Sequence, residues 1–133
     1  MILLDTHALV WLDEGNKRIG RRTLDIVNEE LSCGTLAVSA ITFWETAMLV
    51  EKGRLDINIE LSAWRKTLFE SGLKEIPLNG AMGIRAGSMN NFQGDPADRM
   101  IVATALEISA TLVTADKKIL AWQGLTSKQD ARL

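Results

Sequence analysis

Four short apolar runs, separated by stretches with helical periodicity, constrain this chain more than any other feature. Met1-Ile2-Leu3-Leu4, Leu36-Ala37-Val38-Ser39, Glu75-Ile76-Pro77-Leu78 and Thr111-Leu112-Val113-Thr114 read as strands. The third is the weakest, because Pro77 lacks the donor a ladder needs, so that strand ends there or lies near an edge. Between the runs, Thr6–Leu12 reads as a short helix. Residues 17–31 read as an amphipathic helix, with Ile19, Leu24, Val27 and Leu31 in pattern and Gly34 as its stop. Residues 41–52 are helical and rich in large apolar side chains (Ile41, Phe43, Trp44, Met48, Leu49, Val50), ending at Gly53. Helices follow over residues 59–71, with Leu61, Trp64, Leu68 and Phe69 inward, and over residues 80–90, Pro96–Ser109 and Lys117–Trp122. The residues beyond carry no pattern. Strands alternating with helices imply an α/β fold with a mostly parallel sheet covered on both faces.

With 133 residues, 47% of them hydrophobic, the chain suits one domain, residues 1–133, with one core. No repeat or linker interrupts it. No apolar run is long enough to cross a bilayer, and residues 1–4 lack the basic flank of a signal peptide, so a cytoplasmic protein is expected. The single cysteine, Cys33, forms no internal disulfide, which fits a reducing compartment. Net charge is −2, so bulk electrostatics make no case for nucleic-acid binding. Any such contact comes from a metal or from local clusters: Lys17, Arg18, Arg21 and Arg22, Lys52 with Arg54, or Lys117 with Lys118. Each of these also reads as a solvated face. Trp11, Trp44, Trp64 and Trp122 sit in helical patterns and read as core.

Ligands of parallel α/β folds sit beyond the carboxyl ends of the strands. Five acids can reach that edge. Asp5 ends the first strand, Asp116 follows the last, and Asp95 and Asp98 open the helix at Gly94-Asp95-Pro96-Ala97-Asp98-Arg99. Glu45 lies in the second turn of the helix after the second strand. Each has an ordinary explanation. Asp5, Asp95 and Asp116 suit helix N-caps, and Asp98 suits a first turn. Glu45, flanked by Ile41, Trp44, Met48 and Leu49, suits a buried salt bridge with Arg99. The set is harder to explain this way, because clustered carboxylates repel one another unless a cation intervenes. Carboxylates and water suit a hard cation such as Mg²⁺. His7 reads as a packed or surface histidine before a general base. Zinc-type ligand spacing, a Ser-His-Asp set and a phosphate-cradling glycine loop are all absent.

The run Ile2-Leu3-Leu4-Asp5-Thr6-His7-Ala8-Leu9-Val10-Trp11 resembles the opening of PIN-domain ribonucleases. Ser39-Ala40-Ile41-Thr42-Phe43-Trp44-Glu45, continuing through Met48 to Leu55, is similar to the second motif of the VapC toxins. Asp95-Pro96-Ala97-Asp98-Arg99 with Ile101-Val102-Ala103-Thr104-Ala105 resembles the third, and Leu112-Val113-Thr114-Ala115-Asp116 the fourth. The resemblance implies a three-layer α/β/α domain that binds Mg²⁺, with Mn²⁺ as a substitute. Asp5, Glu45, Asp98 and Asp116 match the family's catalytic and metal-binding acids. Asp95 matches a supporting aspartate of one subgroup, and Thr6 and Thr114 match polar residues lining the site. It further implies a metal-dependent endoribonuclease, the toxin of a toxin–antitoxin pair, with RNA as substrate, an antitoxin as partner and a homodimer as assembly. The subgroup often has an aromatic where Ala97 stands and a histidine where Gln93 stands. Two other readings stay open. One is a catalytically silent interaction module. The other is an aspartate-based phosphatase or phosphorelay domain, against which His7 counts, because it occupies the place of that chemistry's second aspartate.

Overall fold

A computed structural model describes residues 1–133. Five strands form one sheet: β1 (Ile2–Leu4), β2 (Leu36–Ser39), β3 (Lys74–Ile76), β4 (Thr111–Thr114) and β5 (Lys128–Asp130). All are parallel, in the order β3-β2-β1-β4-β5. The chain winds outward from β1 to β3, then returns to β1's other side for β4 and β5. The order therefore reverses between β1 and β4, and a crevice opens where their carboxyl ends diverge.

Alternate side chains point to opposite faces of a strand, and here that divides the core in two. Ile2, Leu4, Leu36, Val38 and Val113 face one layer. There they meet Leu9 of α1 (Thr6–Asp13), Val27 of α2 (Arg21–Ser32) and Trp64 of α4 (Leu61–Glu70). Leu3, Ala37 and Leu112 face the other. They pack on Ile101, Val102 and Ala105 of α6 (Pro96–Glu107) and Ile119 of α7 (Lys117–Ala121). A fully buried aliphatic side chain of this kind contributes about 1.5–3 kcal/mol. Helix α5 (Gly80–Gly87) lies outside α6, with Met82 and Ala86 against Ala103. Helix α3 (Ile41–Glu51) touches both α1 and α6 and so spans the two layers.

Four expectations need correction. The residues after α7 carry no pattern in the sequence, yet Lys128–Asp130 is the edge strand β5. Its sequence, Lys-Gln-Asp, has no apolar alternation because the strand is only half-buried; pairing with β4 makes it a strand. Helix α3 does not carry Trp44 into the core, although Ile41 and Phe43 pack partly buried against it. Its buried residues are Thr42, Glu45 and Thr46, while Trp44 is 53% exposed. Leu24 also lies at the surface, whereas Val27 is buried as expected. Helix α2 starts at Arg21 rather than residue 17, after the Gly20 N-cap. Pro77 falls just after β3, at the sheet's other edge.

Candidate active site

The crevice at the carboxyl ends of β1 and β4 is a pocket of about 260 Å³. All five predicted acids line it: Asp5, Glu45, Asp95, Asp98 and Asp116. Thr6 and His7 line it too. Trp11 and Arg132, which sequence reasoning did not place there, also line it, together with Ile101 and Ala115.

The ordinary roles of the aspartates are also present. Asp5 caps α1, its Oδ1 accepting from the Ala8 N–H at 2.8 Å. Asp95 caps α6, with Oδ1 accepting from the Asp98 N–H at 2.9 Å. Asp116 caps α7 through Oδ1, accepting from the Lys118 N–H at 2.7 Å and the Ile119 N–H at 3.3 Å. Capping does not compete with a site here. It fixes each carboxylate by one oxygen, and in Asp95 and Asp116 the second oxygen has no protein partner. Asp5 Oδ2 accepts a short hydrogen bond from the Thr114 hydroxyl. Thr114 Oγ1 in turn accepts from the Asp116 N–H at 3.0 Å. One hydroxyl thus ties the acid after β1 to the acid after β4. Thr6 donates to Thr42 Oγ1 at 3.2 Å and pins α1 to α3.

Glu45 is the acid with the least ordinary explanation. It is 7% exposed, and its carboxylate has neither a hydrogen bond nor an ion pair. The expected Arg99 bridge does not form. Arg99 instead donates to the carbonyls of Ala86 at 2.8 Å and Phe92 at 3.1 Å, holding α5 and the following loop against α6. That loop closes tightly on the site. A Cβ at Gly94 would lie 2.4 Å from the Phe92 ring and 3.0 Å from Asp98 Cβ. Carboxylate oxygens of Glu45, Asp95 and Asp98 come within 4.8 Å of one another, a spacing one cation can bridge. Asp5 and Asp116 share the pocket but lie outside this closest trio.

The electrostatics follow from this crowding. Burial, then the charges of Asp95, Asp116 and Glu45, push the Asp98 carboxyl up to about 7. Burial likewise raises Asp5, with Glu45 adding to the rise and the bonds from Thr114 and Ala8 opposing it. Glu45 therefore sits electrostatically between Asp5 and Asp98. Carboxylates of mixed burial in mutual repulsion, with those of Glu45 and Asp98 making no hydrogen bond, form a donor set that suits a hard divalent cation.

Residues 2–123 match the PIN domain family. The chain belongs to the PIN-domain family. Over 119 residues this PIN domain is 31% identical to Ribonuclease VapC22 of Mycobacterium tuberculosis, spanning 89% of this chain and 88% of that protein. In three dimensions it is similar to VapBC2 from Rickettsia felis bound to a DNA fragment from its promoter. The TM-score is 0.70 at 20% identity, over 97% of this chain and 98% of that one. It is also similar to a toxin–antitoxin complex from Klebsiella pneumoniae, with a TM-score of 0.64 at 21% identity over 98% of both chains. At these identities the structural likeness shows the fold.

Proposed function

We propose that this PIN domain is an endoribonuclease, the toxin of a toxin–antitoxin pair, and that its hydrolysis of RNA requires Mg²⁺ or Mn²⁺. The relative named a ribonuclease supports the reaction, and the toxin–antitoxin complexes of like fold support the partner. The observation that carries the chemistry is Glu45, a residue only 7% exposed whose carboxylate makes no protein hydrogen bond, opens to the pocket and converges on Asp95 and Asp98.

Asp5, Glu45, Asp98 and Asp116 are the proposed catalytic acids, and with Asp95 they would hold the ion. The convergence of Glu45, Asp95 and Asp98 favours giving Asp95 a ligand's place instead of a supporting one. Thr114 and Thr6 keep Asp5 and α3 in position. When bound, the ion supplies Lewis acidity at the phosphate and lowers the pKa of a water. These carboxylates would hold the ion, align an attacking water with the scissile phosphorus and take its proton; as the new P–O bond forms, the P–O3′ bond breaks and the 3′-oxygen leaves, taking a proton from solvent. The route uses no 2′-hydroxyl, so the products carry 5′-phosphate and 3′-hydroxyl ends.

No helix is long and apolar enough to cross a membrane. A cytoplasmic location agrees with an RNA substrate and with the free, exposed Cys33. A homodimer and an antitoxin contact both have material at the surface. Trp44 on α3 is 53% exposed and Ile84 on α5 is 74% exposed, large apolar side chains that a partner would cover.

The deciding experiment incubates partner-free protein with end-labelled RNA and Mg²⁺ or Mn²⁺, beside EDTA controls and the variants Asp5→Asn and Asp98→Asn. Cleavage that EDTA and both variants abolish is the expected result. Cyclic 2′,3′-phosphate ends, or equal cutting by wild type and variants, would overturn the reading.

A further inference from the structure

The wall of the acidic pocket contains one guanidinium, that of Arg132. Its placement follows from the sheet. Strand β5 runs parallel to β4 with Thr114 opposite Asp130, so Asp116 and Arg132 both stand two residues past paired positions. The two strands leave the sheet side by side at the same edge. Arg132 Nη1 donates to the Ala115 carbonyl at 2.8 Å, and the guanidinium carbon lies 5.9 Å from the centre of the Trp11 ring. The backbone is held as well: Ala131 N–H donates to the Thr114 carbonyl at 2.8 Å, and Arg132 N–H to Asp130 Oδ1 at 2.9 Å. Despite five acids in the same pocket, no carboxylate pairs with Arg132. A guanidinium has five donors, and the single bond to Ala115 leaves most of them for a ligand.

We propose that Arg132 is a catalytic residue that binds the scissile phosphate of the RNA strand at the rim of the carboxylate pocket. The inference rests on the ribonuclease reading and deepens it. A phosphodiester entering a pocket lined by carboxylates meets repulsion from each of them. A planar donor fork held at the rim gives its non-bridging oxygens a partner and stabilises the negative charge that grows as water attacks. Trp11 and the Ala115 carbonyl hold the fork in place in advance, so little is lost in ordering it.

The test compares wild type with Arg132→Met, which keeps length and removes charge, and with Arg132→Lys, which keeps charge and removes the fork. Steady-state cleavage of a single-stranded RNA in Mg²⁺ gives kcat and KM, and the rise in Tm with Mn²⁺ reports the metal site without reference to activity. RNA binding is read by fluorescence anisotropy in an Asp98→Asn background, where cleavage is off. Arg132→Met should lower kcat/KM by about a hundredfold or more, and weaken RNA binding by about tenfold or more. Arg132→Lys should recover binding better than kcat, and both variants should keep the Tm response to Mn²⁺. Wild-type kcat/KM in Arg132→Met would overturn the assignment. So would an activity loss matched by loss of the Mn²⁺ response, because the arginine would then be structural. In either case wild type still cuts, and only this inference falls. If wild type itself neither cuts RNA nor responds to Mn²⁺, the ribonuclease reading falls and the phosphate assignment falls with it.

Discussion

Asp98 bears the clearest conflict among the side chains of the pocket. Its carboxyl lies half-buried among Asp95, Asp116 and Glu45, which together with burial push it up to about 7. Removing the charge relieves that conflict in the metal-free protein. Asp98→Asn should therefore melt at a higher temperature than wild type in EDTA at pH 7.5, while its RNA cleavage falls by more than about a hundredfold. Equal melting temperatures would mean that the pocket is better solvated than its geometry indicates. Thr114 makes a second residue-scale case, because its hydroxyl serves Asp5 and the Asp116 N–H together. Thr114→Val keeps the shape and strands both groups, at a cost of about 1–3 kcal/mol in unfolding free energy, measurable by urea titration. At this scale the sequence was legible but ambiguous. Asp5, Asp95 and Asp116 each look like helix caps, and each is one. Only the direction of the remaining oxygens separates a cap from a cap that also lines a site.

Among the elements, α3 and β5 are where sequence patterning misleads. Helix α3 is rich in large apolar side chains, yet it spans the two layers and turns Thr42, Glu45 and Thr46 inward. That orientation delivers Glu45 to the pocket between Asp5 on the β1 side and Asp98 on α6. Strand β5 has no apolar signal at all, so neither it nor Arg132 could be found by periodicity. Its return to the sheet depends on a close approach at the start of α2. Gly20 N–H donates to the Ala131 carbonyl at 2.9 Å, and a Cβ on Gly20 would lie 2.1 Å from the Leu133 carbonyl carbon. The backbone of Gly20 is itself ordinary, with φ −71°, so the requirement is one of space. Gly20→Ala should destabilise the fold by about 1–3 kcal/mol and displace the segment that holds Arg132. Amide exchange in residues 128–132 should accelerate more than exchange in β1 or β2. Unchanged protection there would show that the closing segment shifts without penalty.

For the whole molecule, the acid cluster makes stability depend on pH and metal together. The Asp98 carboxyl lies near 7 in the folded protein against 3.8 ordinarily, and Asp5 is raised as well. Between these limits the native state holds a proton that the unfolded chain has released. The contribution of Asp98 to stability is therefore greatest at the acid end and falls as pH rises from about 4 to about 7. A bound divalent ion reverses the trend, since it must displace the same proton. The Tm rise produced by Mn²⁺ should be larger at pH 7.5 than at pH 5, and should approach about 2.7 kcal/mol of added stability at a hundredfold excess over the dissociation constant. A response independent of pH would place the ion away from these carboxylates. By itself the sequence determined the α/β class, four of the five strands and all five acids, because buried runs, helical spacing and caps are local signals. The tertiary structure decided which oxygens face the crevice, that α3 turns its glutamate inward, and that a polar segment closes the sheet and brings Arg132 beside Asp116. Those outcomes depend on contacts between residues far apart in the chain, and short-range periodicity carries no record of them.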